Sequence, residues 1–155
     1  MIYLDVDGVL ADFESWVYSV DPTFTKEDWM KKGRVTQVMI DNYETCFRNS
    51  ARTIYFDHLK KLYDDNLGNV KLLTAVGDWW PTKEMRERAE YNKLVWAYNN
   101  EFNRTDLIIV SRASDKIPFC RGPEDVLYDD RRPTIEAWIE KGGSGIYIVN
   151  PARPW

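Results

Sequence analysis

The chain predicts an α/β fold, a three-layer sandwich in which a parallel sheet lies between helices, with a small helical cap inserted after the first strand. Three observations point there. Short, strongly apolar runs alternate with longer mixed segments of helical period, as when strands covered on both faces are joined by crossover helices. The alternation is interrupted once, over residues 14–50, by a stretch too long for a single crossover. The first apolar run also ends in an acidic cluster, at the point where a strand should give way to a loop.

Taken in order, Ile2 to Val6 is the first expected strand. Residues 14–50 follow, carrying Trp16, Tyr18, Phe24, Trp29, Tyr43 and Phe47 among charged residues, and read as the helical insertion above the carboxyl end of that strand. Tyr55 to Tyr63 places Tyr55, Leu59 and Leu62 near helical spacing, with Asn66 and Gly68 as stop signals. Val70 to Thr74 is the second strand. Pro81-Thr82-Lys83-Glu84 then opens a helix reaching about Asn99, and Leu107 to Val110 and Val126 to Tyr128 are the third and fourth strands. Pro133, the stripe Ile135, Trp138, Ile139 and the stop Gly142-Gly143 mark a short helix, after which Gly145 to Val149 is expected at the sheet edge.

The 155 residues fit one domain, 1–155, with 14–50 as its cap; 44% hydrophobic and 14% aromatic content suit a packed globule. A net charge of −4 and a pI near 5.1 disfavour a polynucleotide partner, because such binders carry a basic face, while leaving a small phosphate ester with a metal ion compatible. Cys46 and Cys120 are too few for a disulfide framework and lack neighbours at zinc-ligand spacing. They are expected to be reduced thiols in a cytoplasmic protein. With no basic stretch after Met1 and no apolar run of spanning length, neither a signal peptide nor a membrane anchor is expected.

Asp5 and Asp7 are two apart, so on an extended backbone they project from one face while Val6 points to the other. Two like charges so placed call for a cation, and Gly8 allows a sharp turn whose amides can cradle an anion. An acidic turn after a surface strand is the other reading of the same residues. Ligands of open parallel sheets bind at the carboxyl ends of the strands. Thr74 ends the second strand, Lys116 lies in the loop after the third, and Asp129-Asp130 ends the fourth. Singly, these residues could be a turn cap, a solvated charge and a helix N-cap. In a parallel sheet they converge with Asp5 and Asp7 on one crevice, as a metal-assisted phosphoryl site requires.

The stretch from Asp5 to Glu14, Asp-Val-Asp-Gly-Val-Leu-Ala-Asp-Phe-Glu, resembles the first motif of the haloacid dehalogenase-like (HAD) phosphohydrolases, and closely the form found in 5'(3')-deoxyribonucleotidases. Leu72-Leu73-Thr74 is similar to the second motif, Ser111 to Lys116 to the lysine-bearing third, and Asp125 to Arg131 to the acidic fourth. There are two departures. Arg112 and Lys116 are separated by Ala113, Ser114 and Asp115 where that family has a tighter Thr-Arg-Asp-Lys, and Ala75-Val76-Gly77 replaces the Ser-Pro often seen after the second-motif Thr.

The resemblance implies a HAD-like Rossmannoid fold and an Mg²⁺-dependent phosphomonoester hydrolase that dephosphorylates (deoxy)nucleoside monophosphates through an aspartyl-phosphate. It makes Asp5 the nucleophile and Asp7 the acid and base. Mg²⁺ would be held by Asp5, the Asp7 main-chain carbonyl and Asp129, with Asp130 supporting from behind, while Thr74 and Lys116 hold phosphoryl oxygens. Phe13, Trp16 and Arg112 become substrate-binding candidates, with Trp29 and Tyr43 as further stacking surface for a nucleobase. His58, inside an expected helix, reads as structural. The alternatives are a phosphatase for another small ester or a polynucleotide 3'-end, and a non-catalytic phosphate-binding module. Trp138, Tyr147 and Trp155 near the tail fit either ordinary packing or a homodimer, so monomer and dimer both stay open.

Overall fold

The structure, a computed structural model, describes residues 1–150; Trp155 lies outside them. Five strands, β1 (Ile2–Leu4), β4 (Val70–Ala75), β5 (Leu107–Val110), β6 (Val126–Asp129) and β7 (Ser144–Tyr147), form one sheet in the order β5-β4-β1-β6-β7, with every adjacent pair parallel. A two-residue antiparallel ribbon joins β2 (Ala11–Asp12) to β3 (Ala51–Arg52).

The period-2 alternation of the strands splits the core in two. Leu4, Val70 and Leu72 face α3 (Phe56–Asp65) and α4 (Lys83–Asn99), where they pack with Phe56, Leu59, Tyr63 and Trp96. Tyr3, Leu73 and Leu127 face the opposite side and pack with Ile135 and Trp138 of α5 (Arg132–Glu140). Both faces are therefore covered, which is why the central strands read as continuous apolar runs.

Between β2 and β3 the chain forms α1 (Phe13–Val20), a 3₁₀ turn over Lys26–Met30 and α2 (Arg34–Asp41). A separate apolar cluster of Phe13, Trp16, Val17, Phe24, Trp29, Val38, Met39 and Phe47 holds this segment together and continues into Val76 and Trp80 after β4. Phe13 stacks on Trp16 with ring centroids 5.6 Å apart, and Phe24 meets Trp29 edge-on at 4.9 Å. The segment begins and ends at paired positions, Asp12 opposite Ala51, so the ribbon brings its two ends together.

Several boundaries differ from the expected ones. β1 stops at Leu4 because the Val6 carbonyl accepts from the amides of Leu10 and Ala11, both at 2.8 Å, and so turns into a tight loop. The last strand runs Ser144–Tyr147, a short parallel edge beside β6, in place of Gly145 to Val149. Lys116 sits in a 3₁₀ turn, Ala113–Phe119, where a loop was expected. Cys46 and Cys120 are free and buried. No helix among the described residues is long and apolar enough to cross a membrane.

Candidate active site

The carboxyl ends of β1, β4 and β6 and the turn after β5 bound a cavity of about 500 Å³ lined by Asp5, Asp7, Lys116, Asp129, Asp130 and Arg131, among others. Asp5 immediately follows β1, and its amide donates to the Tyr128 carbonyl at 2.9 Å, extending the β1–β6 ladder by one bond. That bond fixes the backbone from which the carboxylate projects. The Oδ1 atom then accepts from the Val6 amide at 2.8 Å.

Lys116 ties β1 to β6. Its ammonium lies 3.0 Å from Asp5 Oδ1 and 2.7 Å from Asp129 Oδ2, with all three side chains at least nine-tenths hidden from solvent. Burial works against the lysine charge, but Asp5 and Asp129 outweigh it and push the Lys116 pKa up. Burial, reinforced by the Asp5 charge, raises the Asp129 carboxyl to about 6 against the pull of Lys116. Carboxylate oxygens of Asp5, Asp129 and Asp130 all lie within 4.8 Å of one another. Ionised, these three groups carry three negative charges and Lys116 returns one, leaving the charge of a divalent ion to be balanced. An all-oxygen donor set of this kind suits a hard cation such as Mg²⁺.

Gly8 makes the closeness of Asp130 possible. Its φ of +84° lies in the left-handed region, and a Cβ there would fall 1.9 Å from Asp130 Oδ2. Asp130 also accepts from the Asn150 side-chain amide at 3.4 Å.

Asp7 lies where the first cavity meets a second, of about 460 Å³, the two sharing Asp7, Ala75, Ala113 and Arg131. Phe13, Met39, Phe47 and Trp79 form the apolar wall of the second cavity, and Arg112 lies at its edge. Arg112 is exposed and pairs with Asp115 at 3.3 Å. Trp16 and Trp29 line neither cavity; they are buried in the aromatic cluster of the helical segment, Trp16 behind Phe13 and Trp29 donating to the Tyr18 hydroxyl at 2.8 Å. His58 is exposed on α3.

Thr74 is fully buried and accepts, through Oγ1, a 3.0 Å hydrogen bond from Lys93, which also donates to Asp7. The sequence reading missed Lys93. It belongs to a helix with charges on every side, yet shares a stripe with Ala89, Trp96 and Ala97, all buried. A lysine on the apolar stripe of a helix was the available signal.

No family model matches the chain, and no curated protein matches it in sequence. Among solved structures it is similar to the HAD domain of effector protein Lem4 from Legionella pneumophila, at 12% identity and a TM-score of 0.45, over 99% of this chain and 88% of that one. The inactive mutant of the same domain aligns with the same identity and TM-score over 87% of its length.

Proposed function

We propose that the chain is a HAD-type, Mg²⁺-dependent phosphomonoester hydrolase, and more narrowly a 5'(3')-deoxyribonucleotidase acting on (deoxy)nucleoside monophosphates. The observation that carries this reading is the gathering of Asp5, Asp129 and Asp130 on the wall of one open cavity, with Lys116 bridging Asp5 and Asp129 and with Asp7 at its border with an apolar one.

Asp5 is the nucleophile. One of its oxygens forms a bond to phosphorus as the bond to the leaving oxygen breaks, the electron pair going to that oxygen and a proton arriving from Asp7. Water then attacks the aspartyl-phosphate and gives its proton to Asp7. The phosphorus–Asp5 bond breaks with its electron pair returning to the carboxylate, and inorganic phosphate leaves. Asp5, Asp129, Asp130 and the main-chain carbonyl of Asp7 would hold Mg²⁺, which when bound supplies charge neutralisation for the phosphoryl oxygens. Lys116 adds fixed positive charge beside the nucleophile, placed before the reaction begins.

Residues 14–50 act as a cap. Phe13 and Phe47, with Trp79, offer an apolar wall of the kind a flat nucleobase packs against, and Arg112 and Arg131 also line this cavity. Two buried free thiols suit a reducing compartment such as the cytoplasm.

Phosphate release from a panel of dNMPs, NMPs and sugar phosphates with Mg²⁺ tests the reading. Preferential release from nucleoside monophosphates supports it. Release only from sugar phosphates removes the nucleotidase assignment, and no release from any ester removes the phosphatase.

A further inference from the structure

We propose that Lys93 is a positioning residue for phosphoryl transfer, holding the Asp7 carboxyl in the orientation that proton transfer to the leaving group needs. This rests on the phosphatase reading of the site and adds a residue that none of the four motif-like stretches contains.

Lys93 lies in mid-α4 with only 1% of its surface exposed. Each direction of its ammonium has a partner. One donor meets Asp7 Oδ2, a second meets Thr74 Oγ1 at 3.0 Å, and the Phe47 ring lies beneath the nitrogen with its centroid at 3.8 Å. Burying an ammonium is costly until its contacts offset the lost hydration, and a methionine or leucine would fill the same space without that cost. The charge is therefore explained by what it touches. Both polar partners sit at the carboxyl end of the sheet, Asp7 just beyond β1 and Thr74 within the last turn of the β4 ladder.

One consequence follows for Asp7. When its carboxyl gives a proton to the departing oxygen, the negative charge left on the carboxylate meets an ammonium already in place, so little reorganisation is needed at that moment. Thr74, fully buried and lining neither cavity, anchors the ammonium from behind.

Phe47 connects this contact to the substrate cavity. Its φ of +70° is uncommon for a bulky residue, and its ring lines the apolar cavity, packs 5.7 Å from Phe13 and carries Lys93. The residue that holds Asp7 therefore rests on the wall that would face the leaving group.

The test compares leaving groups. In wild type and Lys93→Met, first-turnover rates are measured with Mg²⁺ for a deoxynucleoside 5'-monophosphate, whose alkoxide must be protonated, and for p-nitrophenyl phosphate, whose phenolate departs without a proton. Lys93→Met is expected to slow the first substrate by roughly a hundredfold and the second by less than about threefold, with KM little changed. The p-nitrophenolate should appear as a burst, because attack of water on the aspartyl-phosphate again needs Asp7. Lys93→Gln, which keeps a donor but not the charge, should fall between the two, and it carries the same comparison where Lys93→Met does not fold by circular dichroism. Equal losses on both substrates, or none on either, overturn the positioning role. Wild type inactive on both substrates, or Asp5→Asn as active as wild type, overturns the phosphatase reading itself and the role with it.

Discussion

The Lys116 ammonium lies 3.0 Å from Asp5 Oδ1, although one residue follows β1 and the other sits in the turn after β5. The contact is almost fully withdrawn from water. A buried ion pair of this kind is a poor source of stability, because desolvation offsets most of the attraction. With Asp129 as a third member and Asp130 beside it, the ionised cluster carries unbalanced negative charge that a divalent ion would complement.

The Asp129 carboxyl gives the first prediction. Its pKa is raised from 3.8 to about 6 by burial and by Asp5, so over that interval the folded chain keeps a proton that the unfolded chain has released. Its contribution to stability is complete below about pH 4 and is lost as pH rises through about 6. In the presence of a chelator, Asp129→Asn should therefore gain stability relative to wild type between pH 4.5 and 7. Paired thermal melts check this; a difference in Tm that stays constant or moves the other way contradicts it.

Gly8 gives the second. Alanine at this position strains a left-handed backbone and puts a methyl group where Asp130 Oδ2 now sits. Gly8→Ala should weaken Mg²⁺ affinity by roughly tenfold or more, measured by Mg²⁺ titration of the thermal melt and of phosphate release. Wild-type activity should disappear with EDTA and return with Mg²⁺. Unchanged Mg²⁺ dependence in the variant would show that Asp130 takes no part in holding the ion.

The third separates the aromatic residues by role. Trp16 is core, so Trp16→Ala should cost about 3 kcal/mol or more in a urea melt and leave KM for a nucleotide within about twofold in the folded fraction. Phe13→Leu retains most of the packing and changes the cavity wall, so it should raise KM for deoxynucleotides more than for p-nitrophenyl phosphate. The reverse pattern would move the base-binding surface from Phe13 to Trp16.

The sheet was legible in the sequence because its strands are buried on both faces. Val70–Ala75 and Leu107–Val110 are nearly unbroken apolar runs, and α4 opens as expected on Thr82, whose hydroxyl accepts from the Met85 amide at 3.2 Å. The β2–β3 ribbon was not legible, since two-residue strands leave no period to detect. Within the site, the acidic residues stood out because they lie at or just beyond strand ends, and Lys116 because it lies in the connection that follows a strand. Phe47, Trp79 and Lys93 did not, because their place depends on how the helical segment and α4 pack above the sheet. Trp16 illustrates the same limit from the other side, since sequence shows an aromatic residue near a motif but not which face it turns to the cavity.

The most direct measurement is acid-quenched mass spectrometry of the protein after brief exposure to p-nitrophenyl phosphate and Mg²⁺, with peptide mapping of any covalent phosphoryl group. A single phosphoryl group on Asp5, absent from Asp5→Asn and from samples in EDTA, is the predicted result. Turnover with no phosphoryl group on Asp5, or with one on another residue, would contradict the account.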